Sequence, residues 1–204
     1  MIAVMSVTSP RSRNPRGRGN QLRVDLLDAA ADLLAEEGSI DRVSLRAVAA
    51  RAGVSPTAVY RHFDDHEQLL EAAVLHCWEA FDVALESSSV PGDDPFTDFR
   101  RMGGAYADFA RDNPGKYRVL FTTHNTMGDR VREASLTVFI KLVDRVAAML
   151  AANGDDRDPF FVATQVHTWI HGIVDICTGE PPFPSPDALI DDLTVRLSLV
   201  PEAS

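Results

Sequence analysis

Residues 44–63 read Ser44-Leu-Arg-Ala-Val-Ala-Ala-Arg-Ala-Gly53-Val-Ser55-Pro56-Thr-Ala-Val-Tyr60-Arg-His62-Phe63. Ser44 is a good N-cap for a first short helix, and Gly53 can adopt the left-handed backbone that ends it. Ser55 is placed to cap a second helix, and Pro56 can begin that helix because the first helical position needs no N–H donor. Two short helices that meet at a glycine turn are the outline of a helix-turn-helix.

The second of these helices, predicted from Pro56 to His62, carries side chains that suit DNA. Thr57 and Ala58 are short enough to let it approach base edges or thymine methyl groups in a major groove. Tyr60 and His62 are suited to hydrogen bonds with phosphates, which fix register without reading sequence. Arg61 either reads a guanine or faces solvent, and for Tyr60 the alternative is packing against the first helix of the domain.

Helical spacing of apolar residues recurs from Gln21 onward, and no useful stretch alternates with period two. The first helix is expected to end at Glu37-Gly38, and Asp65 with Gln68 is expected to cap a fourth helix. From Gln21 onward, a residue suited to capping precedes a proline five times, which predicts helix starts at Ser55-Pro56, Asp94-Pro95, Asn113-Pro114, Asp158-Pro159 and Ser185-Pro186. The chain is therefore predicted to be all-α, with about nine helices.

From about Gln21 to Ala72 the sequence resembles the TetR family of bacterial transcription regulators. The likeness is carried by the first helix, the Gly53-Val-Ser turn, the segment from Tyr60 to Phe63 and the opening of the fourth helix. The resemblance implies a three-helix DNA-binding domain at 21–66, followed by a helical-bundle domain for ligand binding and dimerisation at 67–204.

The second half resembles the ligand-binding domains of this family that are named for a Trp/His/Gly pattern. The stretches 105–110 and 113–121 carry this likeness, and His171-Gly172 would end the pattern, with Trp169 two residues before His171.

In the DNA-binding domain the resemblance implies that Ser44, Arg46 and the start of the fourth helix grip the phosphate backbone. The family often has a lysine where this chain has His66, so that contact is expected to be weaker or pH-dependent here. The residues expected to contact DNA are Ser44, Arg46, Ser55, Pro56, Thr57, Ala58, Tyr60, Arg61, His62 and His66.

In the second domain the resemblance implies a pocket for a small-molecule inducer, bounded by the fourth, fifth, seventh and eighth helices. The residues expected to line it are Trp78, Phe81, Tyr106, Phe109, Phe121, Phe139, Trp169 and His171. Core packing is the alternative for each aromatic.

His167, His171 and Asp175 lie four residues apart on the eighth helix. That spacing is compatible with zinc, but there is no general-base glutamate between the histidines. A polar stripe at a subunit interface or pocket wall is the favoured interpretation, and no metal is expected.

The last two helices carry apolar stripes, each of which is wider than packing against a single neighbouring helix would need. Their members are Phe161, Val166, Ile170, Ile173, Val174 and Cys177, then Leu189, Ile190, Leu193 and Leu197. The resemblance implies that these helices pair with their copies in a homodimer, whose two-fold symmetry would match a palindromic operator in double-stranded DNA.

Charge is distributed unevenly along the chain. Through Phe63 there are nine Lys/Arg against six Asp/Glu, and after it eleven against twenty-four, so the net charge of −10 does not argue against DNA binding. Residues 1–20 hold four arginines and no acid, and are expected to form a disordered basic arm. That arm either contacts DNA or is a leader without a fixed role.

Several classes of protein are not supported. No glycine-rich phosphate loop, nucleophile elbow or paired-carboxylate pattern is present, so neither an enzyme nor a cofactor is expected. Without a signal peptide or a membrane-length apolar run, the default compartment is the cytoplasm, with Cys77 and Cys177 reduced and serving as small apolar residues rather than as a redox switch.

The sequence thus predicts a homodimeric, ligand-responsive repressor. An activator or global DNA binder without an inducer, and a helical ligand carrier that has lost DNA binding, remain as alternatives.

Overall fold

The protein is described by a computed structural model at residues 18–123, 128–177 and 184–198. Over those residues it forms nine α-helices and one short 3₁₀ turn, and no strand, which confirms the all-α prediction. The helices are α1 Arg18–Glu37, α2 Leu45–Arg51, α3 Pro56–Val59, α4 His66–Ser87, α5 Pro95–Asp112, α6 Pro114–Thr123, α7 Asp129–Ala152, α8 Pro159–Cys177 and α9 Pro186–Ser198, and the 3₁₀ turn is Ile40–Arg42.

All five proline-based helix starts are confirmed. The prolines stand first in α3, α5, α6, α8 and α9. Three of the residues that precede these prolines cap their helices. The side chains of Asp94, Asp158 and Ser185 accept hydrogen bonds from N–H groups of the first turn. The Ser55 side chain makes no such bond, because the N–H of Ala58 that it would cap donates instead to the backbone carbonyl of Ser55 at 2.8 Å, so the predicted side-chain cap is wrong.

The start of α4 is held as predicted. The Asp65 carboxylate accepts from the N–H of Gln68 at 2.8 Å. Gln68 Oε1 accepts in return from the N–H of Asp64 at 2.7 Å, one residue earlier than in the usual capping box. This reciprocal pair fixes the turn between the helix-turn-helix and α4.

Two predicted boundaries are wrong. α1 begins at Arg18, so the last three residues of the predicted arm are helical, since extending a formed helix adds a hydrogen bond without a new nucleation cost. Residues 1–17 lie outside the described residues. The regular part of α3 ends at Val59, after which the N–H groups of Arg61 and His62 bond three residues back, as in the tighter 3₁₀ turns common at helix ends.

One continuous buried core joins the two halves of the chain. α1 packs against α4 and α6, while α5 packs against α9 and α7 against α8. Asp28 of α1 makes an ion pair with Lys116 of α6 at 2.8 Å, and its carboxylate also lies 3.4 Å from Nε2 of His76 of α4. A movement of α4 or α6 would therefore displace α1. The boundary between two domains at residue 66 stays a prediction.

Candidate DNA-binding surface and ligand cavities

The segment Pro56–His62 presents one face to solvent and one to the core. Val59 and Phe63 are buried to 0% and 1% exposure, which anchors the segment. Tyr60 is 57% exposed, so the alternative that it packs against α1 is wrong. The exposed side chains of the segment and its cap are Ser55, Pro56, Thr57, Tyr60 and Arg61, with Ala58 and His62 half-buried.

Arg23 of α1 positions the end of this segment, a role that the sequence did not reveal. Its guanidinium donates to the carbonyl oxygen of His62 at 3.2 Å and lies 4.5 Å from the ring centroid of Phe63. A cation over an aromatic face is attracted to it. The contact joins residues 39 positions apart, and no local spacing rule indicates it.

Ser44 and Arg46 stand exposed at the start of α2. Ser44 Oγ accepts from the N–H of Ala47 at 3.1 Å, which confirms the predicted cap. A hydroxyl that accepts a hydrogen bond keeps its own hydrogen to donate, so capping and a phosphate contact are compatible.

His66, the first residue of α4, is half-buried and turned toward the protein. Its Nε2 hydrogen-bonds the carbonyl oxygen of Val43. Because a carbonyl can only accept, Nε2 donates in this bond and is not available to a phosphate. The predicted contact of the His66 side chain with DNA stays a prediction, beside the backbone N–H groups of the first turn.

Two adjacent cavities lie in the second half of the chain. The first, named here the aromatic cavity, has a volume of about 400 Å³. Its wall comes from α4, α6, α7 and α8, so α6 contributes where α5 was expected. It is lined by Trp78, Phe121, Ser135, Leu136, Phe139, His167 and His171.

The second, named here the polar cavity, has a volume of about 650 Å³ and lies between α5, α6, α8 and α9. Arg111, Arg118, Asp175 and Asp187 place equal numbers of positive and negative side chains around it, and Tyr117 adds a hydroxyl. Phe121 and His171 line both cavities, with ring centroids 4.4 Å apart, and form the partition between them.

Of the predicted lining residues, Trp78, Phe121, Phe139 and His171 meet at the aromatic cavity. Phe81 and Tyr106 line only a small adjoining space of about 50 Å³. Phe109 lines none of these three cavities and packs against the Phe81 ring at a centroid distance of 5.0 Å, as the core alternative predicted. Trp169 is 45% exposed on the outer side of α8 and lines none of them, so its assignment to the pocket is wrong.

A chain of hydrogen bonds reaches the partition from the core. Tyr106 and Tyr117 have hydroxyl oxygens 3.3 Å apart, and the Tyr117 hydroxyl lies 2.7 Å from Nδ1 of His171. Burial raises the pKa of Tyr117 to about 12 and raises that of Tyr106 further, so both remain protonated donors. The sequence did not indicate Tyr117 as a pocket residue, because α6 was not expected in the pocket wall.

His167 and His171 lie side by side with ring centroids 6.3 Å apart and nearly parallel planes. Within the described ranges no group of three histidines, cysteines or acids is arranged to hold a metal ion. The rings instead line the aromatic cavity, which agrees with the pocket-wall interpretation.

The outer face of α8 carries exposed apolar side chains. Phe161, Trp169 and Ile176 are 61%, 45% and 54% exposed, and Val195 of α9 is 58% exposed. Much of the predicted interface stripe is instead buried within the chain, because the inner faces of both helices pack on α5 and α7; these residues are Val166, Ile170, Val174, Ile190, Leu193 and Leu197. The side chain of Cys177 lies outside the described residues.

Family models match both halves of the chain. One, described as "Bacterial regulatory proteins, tetR family", matches residues 26–73, and one described as "Tetracyclin repressor-like, C-terminal domain" matches residues 99–197. The narrower Trp/His/Gly assignment stays a prediction. None of the helices in the described ranges is long and apolar enough to cross a bilayer.

Curated relatives match over most of the chain. YobS of Bacillus subtilis, an uncharacterized HTH-type transcriptional regulator, is 30% identical over 160 residues, which span 76% of this chain and 78% of YobS. The HTH-type transcriptional repressor KstR of Mycobacterium tuberculosis is 27% identical over 175 residues, spanning 85% of this chain and 77% of KstR. The crystal structure of a TetR-like transcriptional regulator from Rhodococcus sp. RHA1 shares the fold, with a TM-score of 0.73, 22% identity and coverage of 90% of this chain and 97% of that one.

Proposed function

Because the chain belongs to the TetR family of bacterial regulatory proteins, we propose that it is a homodimeric, cytoplasmic repressor that a small, largely apolar molecule releases from a palindromic operator. The observation that carries this proposal is the solvent-facing segment Pro56–His62, held from behind by Val59, Phe63 and Arg23. Similarity to the KstR repressor favours repression over activation. The chain has no proposed catalytic role.

In the proposed complex the segment enters the major groove. Thr57 and Ala58 approach base edges, and Arg61 is long enough to reach a guanine. Tyr60 and His62 of the segment contact phosphates. Ser44, Arg46 and the first turn of α4 contact phosphates on either side of the segment. Val59 and Phe63 anchor the segment to the core, so its exposed side chains are available to DNA.

In the proposed dimer the outer faces of α8 and α9 meet their copies. Phe161, Trp169, Ile176 and Val195 supply apolar area that a monomer would leave in water. Two-fold symmetry places two recognition segments on one side of the duplex. Their centres must lie about 34–36 Å apart to enter successive major grooves.

In the proposed switch, ligand in the aromatic cavity shifts α4 and α6, both of which pack on α1. Release requires only that the ligand prefer the spacing that does not fit DNA: a preference of about 1–3 kcal/mol changes DNA affinity by about 5–150-fold. Equal affinity for the two states would change nothing.

The proposal is tested by selecting genomic DNA fragments with the purified full chain and footprinting the recovered sites. We expect palindromic sites with half-sites about one helical turn apart. Binding without sequence preference would support a global DNA binder, and no binding to any fragment would support a ligand carrier; either result would overturn the proposal.

A further inference from the structure

The hydrogen-bond chain at the partition between the two cavities can run in one direction, from Tyr106 through Tyr117 to His171. Tyr117 is protonated and its hydroxyl lies 2.7 Å from Nδ1 of His171. In the neutral imidazole one ring nitrogen accepts and the other donates. When the Tyr117 hydroxyl donates to Nδ1, the hydrogen of His171 is on Nε2.

Tyr106 supports this direction from the core. It is 6% exposed, and its hydroxyl lies 3.3 Å from that of Tyr117 and 3.4 Å from Nδ1 of His171. With Tyr106 donating to Tyr117, and Tyr117 to His171, each bond polarises the next. The chain ends at Nε2–H, for which no hydrogen-bonding group of the described residues is a partner.

Nε2–H belongs to a ring that lines both cavities, next to the aromatic walls of Trp78, Phe121 and Phe139. A ligand body that fills the aromatic cavity therefore brings its edge to a hydrogen-bond donor. A donor in such a place favours a ligand with an acceptor oxygen at that edge.

The charge that acts on the Tyr117 hydroxyl at the partition is the negative charge of Asp175. Arg118 donates to the carbonyl of Ala35, and Arg111 is engaged by Asp108 and Asp112 on its own helix. Burial is the main cause of the raised pKa of Tyr117, and the negative charge of Asp175 raises it further. A carboxylate beside His171 would meet this repulsion, whereas a neutral carbonyl would not.

We propose that the ligand class is a neutral, largely apolar carbonyl compound, a ketone, ester or amide on a ring system, whose oxygen accepts a hydrogen bond from Nε2 of His171. This rests on the proposed function, since it specifies the ligand of the same regulatory cavity. Tyr117 and Tyr106 are positioning residues, which set the tautomer of His171 without contacting the ligand oxygen.

The test uses matched probes that differ only in the group placed at the partition. Acetyl, isopropyl and carboxylate derivatives of benzene, naphthalene and phenanthrene are titrated by calorimetry into the full-length protein. On at least one ring system the ketone is expected to bind about tenfold more tightly than its isopropyl counterpart, the difference that one net hydrogen bond supplies. The carboxylate is expected to bind more weakly than the ketone.

Variants connect the preference to the chain of hydrogen bonds. His171→Phe is expected to abolish the ketone preference while leaving isopropyl binding in place, and Tyr117→Phe to reduce it. Tyr106→Phe is expected to have a smaller effect than Tyr117→Phe, because its distances are longer. Circular dichroism on each variant verifies folding, and retention of the preference in a folded Tyr117→Phe variant would contradict the assigned direction.

The proposal is overturned if no probe binds, if isopropyl and acetyl probes bind equally, if the carboxylate binds most tightly, or if the preference survives His171→Phe. DNA binding is measured on the same preparations. If the protein binds DNA specifically but shows no ketone preference, this inference is overturned and the regulator proposal stands. If the unmodified protein does not bind DNA specifically, the regulator proposal is overturned.

Discussion

The guanidinium of Arg118 donates a hydrogen bond from Nη1 to the carbonyl oxygen of Ala35 at 3.1 Å. Ala35 lies in the last turn of α1, where helical carbonyls lack intrahelical partners and carry a partial negative charge. Arg118 also lines the polar cavity. One side chain therefore connects the wall of a cavity in the second half with the first helix of the DNA-binding half.

Replacing Arg118 with methionine should lower the free energy of unfolding by about 1 kcal/mol, because a charge-assisted bond to an orphan carbonyl is lost. The matched control is Arg111→Met in the same cavity wall, whose exposed pairs with Asp108 and Asp112 should contribute little. Urea unfolding measures both variants. Equal midpoints for the two would show that the bond to Ala35 does not stabilise the junction.

Two neighbouring glycines of α5 should respond oppositely to alanine. A Cβ on Gly103 would lie 2.8 Å from Cγ2 of the buried Ile190, whereas Gly104 has nothing within 4 Å. Gly104→Ala should raise the free energy of unfolding by up to about 1 kcal/mol through helix propensity. Gly103→Ala should lower it by about 1 kcal/mol, because overpacking costs about 1–3 kcal/mol and outweighs that gain.

Thermal melting of the two variants makes the comparison. A stabilised Gly103→Ala variant would mean that α9 does not pack against α5 as closely as described.

The outer face of α8 should control the oligomeric state. Trp169→Arg puts a charge on the face that also carries Phe161 and Ile176, and should convert the proposed dimer into a monomer, which sedimentation velocity measures. The control is Val83→Arg, at a position that is 57% exposed on α4 and therefore outside α8 and α9. A Trp169→Arg protein that still sediments as a dimer would place the interface elsewhere.

The thiol of Cys77 should be unreactive in the folded protein. It is fully buried, and burial raises its pKa to about 12, so almost no thiolate exists at pH 8. Because the pKa is higher in the folded state, this thiol contributes stability below about pH 9 that is lost as the pH rises toward 12.

In a Cys177→Ala background, a thiol reagent at pH 8 should label Cys77 only at the rate of unfolding. Rapid, complete labelling under native conditions would show that the site opens to solvent.

The fold could be predicted because the signals that start and end its helices are local in sequence. A proline at the first helical position and a polar residue before it act through backbone groups within one turn, so Asp94-Pro95 and Asp158-Pro159 indicate helix starts without knowledge of the tertiary structure. The capping pair of Asp65 and Gln68 is local in the same way.

The functional surfaces were less predictable because they depend on contacts between distant segments. Trp169 is apolar like the residues of the pocket wall, and only the orientation of α8 places it outside. Tyr117 and Arg23 act through partners 54 and 39 positions away, a separation for which the sequence carries no spacing signal. The resemblance assigns His66 to DNA contact, but Nε2 of its ring donates to the carbonyl oxygen of Val43 instead.

The most direct test of the central claim is the affinity of the full-length protein for its selected operator, with and without the paired substitutions Tyr60→Ala and Arg61→Ala. The control is Arg132→Ala, an exposed arginine on α7. If the exposed segment Pro56–His62 binds DNA, the paired variant should remain folded and lose about a hundredfold in affinity, because one base contact and one phosphate contact are removed in each half-site, while the control binds like the unmodified protein. A folded paired variant that binds the operator as tightly as the unmodified protein would contradict the account.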